Sequence, residues 1–125
     1  MGINLNHSKI VIKDLVLPWS IGVFTHEKNK PQRVRINLII QTKYNTKELN
    51  DNIKNVISYA NIVDGIKLLS VSGHINLVET LAQKIAALCL SYSLVYDVLV
   101  RVEKLDVYEN VESVGIEAKY YRAND

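Results

Sequence analysis

The stretch that decides the fold is residues 59–90, YANIVDGIKLLSVSGHINLVETLAQKIAALCL, in which the apolar residues have the spacing of α-helices. This spacing predicts a first helix from about Tyr59 to Leu69 with Ser58 as its N-cap. The segment SVSGH at residues 70–74 breaks the pattern, and a second helix is predicted from Leu77 onward. The apolar stripes consist of Ile62, Ile66 and Leu69 in the first helix, and of Leu81, Ile85 and Leu88 in the second.

The segments on both sides of this helical pair have the pattern of β-strands. Residues 9–17 and 33–44 alternate between apolar and polar side chains, and residues 95–105 and 113–121 predict a third and a fourth strand. The order ββααββ predicts an α+β fold, a four-stranded antiparallel sheet that carries both helices on one face. We expect a single domain over residues 1–125, because this length is typical of one domain.

The outer strands of such a sheet predict self-association. They are long and rich in β-branched residues, and the chain has only two prolines that could block pairing at an edge. We therefore expect a homo-oligomer whose sheets join edge to edge and close into a barrel, since closure removes free edges.

Composition narrows the class of protein. The net charge of +2, from 15 basic and 13 acidic residues, is too small and too dispersed to indicate nucleic-acid binding. Cys89 is the only cysteine, so no internal disulfide can form, which fits a reducing compartment. No apolar run is long enough to span a bilayer, and the first ten residues lack the apolar block of a signal peptide. We expect a cytoplasmic protein without a membrane or nucleic-acid partner.

Four polar residues lie at the ends of predicted elements, and each has an ordinary structural explanation when it is considered alone. Glu79 follows Asn76 by three residues, which matches a capping box with Asn76 as the N-cap. Tyr59 at a helix start is typical of amphipathic packing, and Lys104 at a strand end is typical of a solvated lysine. Glu27, in a polar loop, has the pattern of a surface charge. Spacing alone therefore indicates no site.

Motifs for metals, nucleophiles and phosphates are not found in the sequence. His7, His26 and His74 form no HxH or HxxxH pair, and Cys89 belongs to no CxxC, so a zinc site is not indicated. There is no GxSxG nucleophile elbow and no glycine-rich phosphate loop. We expect neither a metal nor a cofactor.

Taken together, five segments in a fixed order resemble dihydroneopterin aldolase of folate biosynthesis, and the likeness extends from about Ile10 to Tyr121. The segments are IGVFTHEKNKPQRVRINL (21–38), ISYANIV (57–63), GHINLVETLAQKIA (73–86), VRVEKLDV (100–107) and SVGIEAKY (113–120). The resemblance implies the T-fold, in which sheets join at their edges into tetrameric barrels that stack as octamers. It also implies a lyase that splits 7,8-dihydroneopterin into 6-hydroxymethyl-7,8-dihydropterin and glycolaldehyde, with epimerase as a possible side activity.

The resemblance also implies a role for each of the four residues. Glu79 matches the glutamate that binds the pterin through its amino group and ring N–H. Lys104 matches the catalytic lysine, which acts as an acid and base through bound water without forming a Schiff base. Tyr59 matches the tyrosine that positions water and shuttles a proton, and it comes from a neighbouring subunit in that family. Glu27 matches a glutamate beside the lysine; Gln32 also matches a family position, and no step is assigned to it.

Two alternatives stay open. Many aldolases have proline directly after the lysine, whereas this chain has Leu105, which is similar to the sister family that epimerises dihydroneopterin triphosphate. For a triphosphate the loop offers only Lys28, Lys30 and Arg33. The other alternative is a non-catalytic T-fold oligomer that binds pterins or has a structural role.

Overall fold

The computed structural model describes residues 7–44 and 49–123, and its elements follow the predicted order. Strands β1 (Ser8–Trp19) and β2 (Gln32–Thr42) precede helices α1 (Tyr59–Ser70) and α2 (Val78–Leu90), and strands β3 (Val95–Lys104) and β4 (Val114–Tyr121) follow. Short 3₁₀ turns occupy Thr25–Lys28 and Ile53–Asn55. No helix in the described part of the chain is long and apolar enough to cross a membrane.

The four strands form one antiparallel sheet in the order β1-β2-β3-β4, so the prediction of the fold class is confirmed. Alternate side chains of the two central strands are fully buried, and they pack against the apolar stripes of both helices. This core excludes water from one face of the sheet. Its members from the sheet and the helices include Val34, Ile36, Leu38, Ile40, Val98, Val100, Val102, Ile62, Ile66, Leu81 and Ile85.

Strand β1 contains a bulge that the sequence pattern did not predict. The register with β2 shifts between Ile12 and Leu15, and Asp14 has a φ of 56°. The backbone N–H of Asp14 donates to Oδ1 of Asn37 at 2.8 Å, which stabilises the irregular residue. Because one extra residue is inserted, Ile12 and Leu15 both pack against the core although their sequence parity differs.

The two helices begin differently. Helix α1 has the predicted N-cap, because Oγ of Ser58 accepts the N–H of Asn61 at 3.3 Å. Helix α2 has Leu77 as its N-cap residue, with an extended backbone and no side-chain cap. The predicted capping box is therefore wrong: the helix starts one residue later than that motif needs. Glu79 becomes its second residue, and its carboxylate makes no hydrogen bond or ion pair with the residues that the structure describes.

Candidate active site

A cavity of about 950 Å³ lies where the end of β3, the loop after β1 and the start of α2 meet. Three of the four residues singled out in the sequence, Glu27, Glu79 and Lys104, line this cavity. Tyr59 is not among the lining residues, and 66% of its surface is exposed. A single protomer therefore brings three of the four together and leaves Tyr59 outside.

Lys104 enters the cavity because of its place in β3. It has the parity of Val98, Val100 and Val102, whose side chains are all buried on the helix-covered face of the sheet. The side chain of Lys104 consequently points toward this apolar side, and only 16% of its surface is exposed. The interpretation of Lys104 as a solvated lysine is therefore wrong. The alternation of β3 could have indicated that its side chain points toward the buried face.

Glu27 is a buried ion-pair partner of Lys104, so its interpretation as a surface charge is also wrong. The Lys104 Nζ donates to Glu27 Oε2 at 2.8 Å. Gln32 Nε2 donates to the same oxygen at 2.9 Å and to the Ile21 carbonyl at 2.7 Å, and the Phe24 N–H donates to Oε1 at 3.3 Å. Burial raises the pKa of Glu27, but the hydrogen bonds from Lys104, Gln32 and Phe24 outweigh it and lower the pKa to about 2. Glu27 is therefore a fixed negative charge.

Gly22 determines where this carboxylate can lie. Its φ is 130°, a conformation that side chains with a Cβ rarely adopt. A Cβ built on Gly22 would lie 2.1 Å from the Glu27 Cδ and 2.3 Å from both of its carboxylate oxygens. The carboxyl group of Glu27 thus fills the space that any other residue at position 22 would need.

A short parallel bridge joins the Glu27 loop to the segment that leads into α2. Ile21 pairs with Ile75, the Gly22 N–H donates to the Ile75 carbonyl at 2.9 Å, and the Ile75 N–H donates to the Ser20 carbonyl at 3.0 Å. Since Ile75 lies four residues before Glu79, this bridge fixes the start of α2 beside the Glu27–Lys104 pair.

The apolar lining of the cavity was missed by sequence reasoning. The rings of Phe24 and His26 stack with their centroids 5.9 Å apart and their planes within 3° of each other. These surfaces suit a flat heterocyclic ligand. The loop that carries Phe24 and His26 has no periodicity that could have indicated them. The apolar lining residues include Val23, Phe24, Leu77, Val78, Val107 and Tyr108.

Two of the charged residues near the cavity form an ion pair with each other. Arg33 Nη2 lies 2.7 Å from Asp106 Oδ1, and Arg33 Nε donates to the same oxygen at 3.1 Å. Asp106 and Lys30 line the cavity, whereas Arg33 does not. Of the three cations considered for a triphosphate, Arg33 is therefore bound to a carboxylate.

The described residues offer little for metal or thiol chemistry. Within residues 7–44 and 49–123, no group of three or more His, Cys, Asp and Glu side chains is arranged to hold a metal ion. Cys89 is buried, and burial raises the pKa of its thiol to about 12, so the thiol stays protonated. The ionisable groups that line the cavity include the Glu27–Lys104 pair and the separate carboxylate of Glu79.

Known proteins with a similar sequence are dihydroneopterin aldolases. The family model described as dihydroneopterin aldolase matches residues 10–119. The dihydroneopterin aldolase of Streptomyces coelicolor is 26% identical over 98 residues, which are 78% of this chain and 82% of that protein.

Two solved structures of dihydroneopterin aldolases have the same fold as this chain. A dihydroneopterin aldolase from Burkholderia thailandensis, bound to guanine, superposes with a TM-score of 0.81 at 27% identity and covers 94% of this chain and 93% of its own. The Escherichia coli dihydroneopterin aldolase in complex with neopterin superposes with a TM-score of 0.83 at 20% identity, over 90% of this chain and 98% of its own.

Proposed function

Because the chain belongs to the dihydroneopterin aldolase family, we propose that the cavity binds 7,8-dihydroneopterin and that its lining residues cleave this substrate. The retro-aldol reaction of the family, a step of folate biosynthesis, yields 6-hydroxymethyl-7,8-dihydropterin and glycolaldehyde. One observation carries the proposal: the Glu79 carboxylate, which has no protein partner among the described residues, lines the same cavity as the Glu27–Lys104 pair.

Glu79 recognises the ring. Guanine and neopterin, the ligands of the two solved relatives, both present an exocyclic amino group beside a ring N–H. A carboxylate offers two acceptors to these two parallel donors, which gives bidentate and charge-assisted recognition. The position of Glu79 in the first turn of α2 supports this role, because the helix dipole favours a negative charge there.

Lys104 handles protons during the cleavage. The bond between the first two side-chain carbons breaks after the hydroxyl on the second carbon loses its proton, and the released electron pair moves into the ring C=N group. The first carbon is then protonated and becomes the hydroxymethyl group, while the second becomes the aldehyde of glycolaldehyde. The ring imine accepts the electrons, so no Schiff base is needed, and Lys104 exchanges protons through bound water. Glu27 holds the ammonium in place at 2.8 Å.

Tyr59 completes the site from a neighbouring subunit in this proposal. It lies on the exposed first turn of α1 and outside the cavity of its own protomer, which supports a role in another protomer's site. The free edges of β1 and β4 are where sheets of several copies would join. We propose a homo-tetramer or homo-octamer, and oligomerisation is then a condition of catalysis.

The aldolase reaction is favoured over the triphosphate epimerase by the charges at the mouth. Asp106 places a carboxylate on the cavity wall, and it also binds the guanidinium of Arg33, one of the three cations considered for a triphosphate. A phosphorylated side chain would meet Lys30 and a competing negative charge.

We expect the purified protein to release glycolaldehyde and 6-hydroxymethyl-7,8-dihydropterin from 7,8-dihydroneopterin, at the same rate with and without EDTA. The products are measured by chromatography and by an aldehyde-coupled assay. Dihydromonapterin as the only product would instead identify an epimerase. Tight binding of neopterin without any turnover would identify a non-catalytic pterin-binding oligomer.

Mixing two inactive variants tests whether the site is shared. Tyr59→Phe and Lys104→Ala subunits, mixed in equal amounts, unfolded and refolded together, should recover about a quarter of the wild-type activity, because random assembly leaves that share of sites with both residues intact. Each variant refolded alone is the control. If hetero-oligomers verified by mass spectrometry recovered no activity, each site would take both residues from one chain, which would contradict the shared site.

A further inference from the structure

We propose that His74 is a positioning residue for the Glu27–Lys104 pair, an inference that rests on the proposed function because it concerns the groups that cleave the substrate. The His74 ring connects two residues of the loop after β1. Its Nε2 lies 2.7 Å from the Gly22 carbonyl oxygen, and its Nδ1 lies 2.6 Å from the Ser20 Oγ.

The chemistry of the two partners determines the proton positions. The Gly22 carbonyl can only accept, so the Nε2 of His74 carries a proton and donates. The Nδ1 of a neutral ring then accepts from the Ser20 hydroxyl. If the ring gains a proton, the same hydroxyl can rotate and accept instead. Both contacts therefore persist in either charge state, so His74 acts as a fixed brace.

His74 reinforces the parallel bridge at the residues that form it. The backbone of Ile75, the next residue, already bonds to the Gly22 N–H and to the Ser20 carbonyl. The His74 side chain adds one contact to Ser20 and one to Gly22. Together these bonds leave the loop little freedom to slide along the segment that leads into α2.

His74 affects the positions of Glu27 and Lys104 through Gly22. The Glu27 carboxyl group packs on the Cα of Gly22, where a Cβ would come within 2.1 Å of the Glu27 Cδ. A shift of Gly22 therefore moves the carboxylate of Glu27 and, with it, the ammonium that it holds at 2.8 Å. Glu79 is connected to Gly22 through the backbone of Ile75, four residues earlier, whereas the Glu27 carboxyl group packs directly on Gly22. We infer that His74 affects the chemical step more than the binding of the ring.

His74 is suited to a positioning role because it contributes little to the core. His74 is an exposed residue, and it is not a member of the buried cluster. Its replacement should therefore leave the thermal midpoint nearly unchanged. His74→Leu removes both hydrogen bonds at similar volume, whereas His74→Gln keeps an N–H donor close to the position of Nε2. His7→Leu is the matched control, since His7 is an exposed histidine just before β1.

We expect His74→Leu to lower kcat for dihydroneopterin cleavage about tenfold with little change in KM, since a small displacement of reacting groups has effects of at least this size. His74→Gln should retain most of the activity, and His7→Leu all of it. The decisive measurement is a double-mutant cycle with Glu27→Gln. If His74 acts through Glu27, His74→Leu has almost no further effect in that background. Independent, multiplying losses would overturn the proposal.

A second readout does not depend on activity, so it separates this inference from the proposed function. The Gly22 amide, which donates to Ile75, should exchange its hydrogen faster in His74→Leu than in the wild type, while amides in the middle of α1 keep their rates. Equal Gly22 exchange in both proteins would overturn the role of His74. A wild-type protein that does not cleave dihydroneopterin would overturn the proposed function alone.

Discussion

Lys104→Ala should lower kcat for dihydroneopterin cleavage about 1,000-fold, because a positioned acid–base group contributes on the order of 10²- to 10⁴-fold. The electrons leave through the ring imine, but the substrate hydroxyl must still lose a proton and the product carbon must gain one. In the mechanism that we propose, Lys104 serves both transfers, and its ammonium is held by Glu27. Initial rates of glycolaldehyde release from purified variants measure the loss.

The experiment on Lys104 must distinguish a loss of catalysis from a loss of stability. Removing the Lys104 ammonium leaves the buried Glu27 carboxylate without its cation, which destabilises the protein. Lys104→Gln keeps an N–H donor for Glu27 but cannot transfer a proton, so it should be as inactive as the alanine variant while unfolding at a higher temperature. Lys119→Ala is the matched control, because Lys119 pairs with Asp97 on the helix-free face of the sheet. A Lys104→Gln protein with more than about a tenth of wild-type activity would contradict this role.

Glu79→Gln should weaken neopterin binding about 100-fold or more, because hydrogen bonds to a charged group contribute about 1.5–3 kcal/mol each and the ring offers two donors. The glutamine amide keeps one acceptor, and its NH₂ group faces a donor of the ligand. Isothermal titration with neopterin measures the effect directly, and KM should rise in parallel. Glu117→Gln, at an exposed position of β4, is the control.

The stability of the same Glu79→Gln variant distinguishes binding from capping. The structure gives the Glu79 carboxylate no capping bond, so the unfolding midpoint should equal that of the wild type at high salt, which screens the charge from the helix dipole. A capping role would instead lower the free energy of unfolding by about 1 kcal/mol. Unchanged neopterin affinity together with lower stability would assign Glu79 to the helix and exclude it from the ligand site.

The sequence predicted the fold well because apolar periodicity carries most of the information. The apolar pattern changes from the alternation of strands to the spacing of helices and back again, which indicates the positions of all four strands and both helices. Ser58 identifies the start of α1. The bulge at Asp14 was missed because an extra residue leaves no compositional signal of its own. The start of α2 was misplaced by one residue, since Asn76 is a better capping residue than the Leu77 that takes this place.

The candidate site was less predictable from the residues themselves. Glu27 is buried because the 3₁₀ turn at Thr25–Lys28 folds its side chain back onto the Phe24 N–H, and no periodic pattern announces such a turn. Glu27 and Lys104 are 77 residues apart, so only the fold brings their charges together. The family resemblance supplied that information. By contrast, the contacts of His74 could not be predicted, because they depend on the backbone paths of the loop after β1 and of the segment that leads into α2.

Gly22 has a consequence for how sequences of this kind can diverge. The Glu27 carboxylate occupies the volume that a methyl group at position 22 would need. Whether a substitution at position 22 or 27 is tolerated therefore depends on the residue at the other position. An acid one methylene shorter at position 27 would free that volume but would withdraw from Lys104. Sequences that keep the Glu27–Lys104 pair in this geometry should therefore keep a glycine at position 22, and change at positions 22 and 27 requires coupled substitutions.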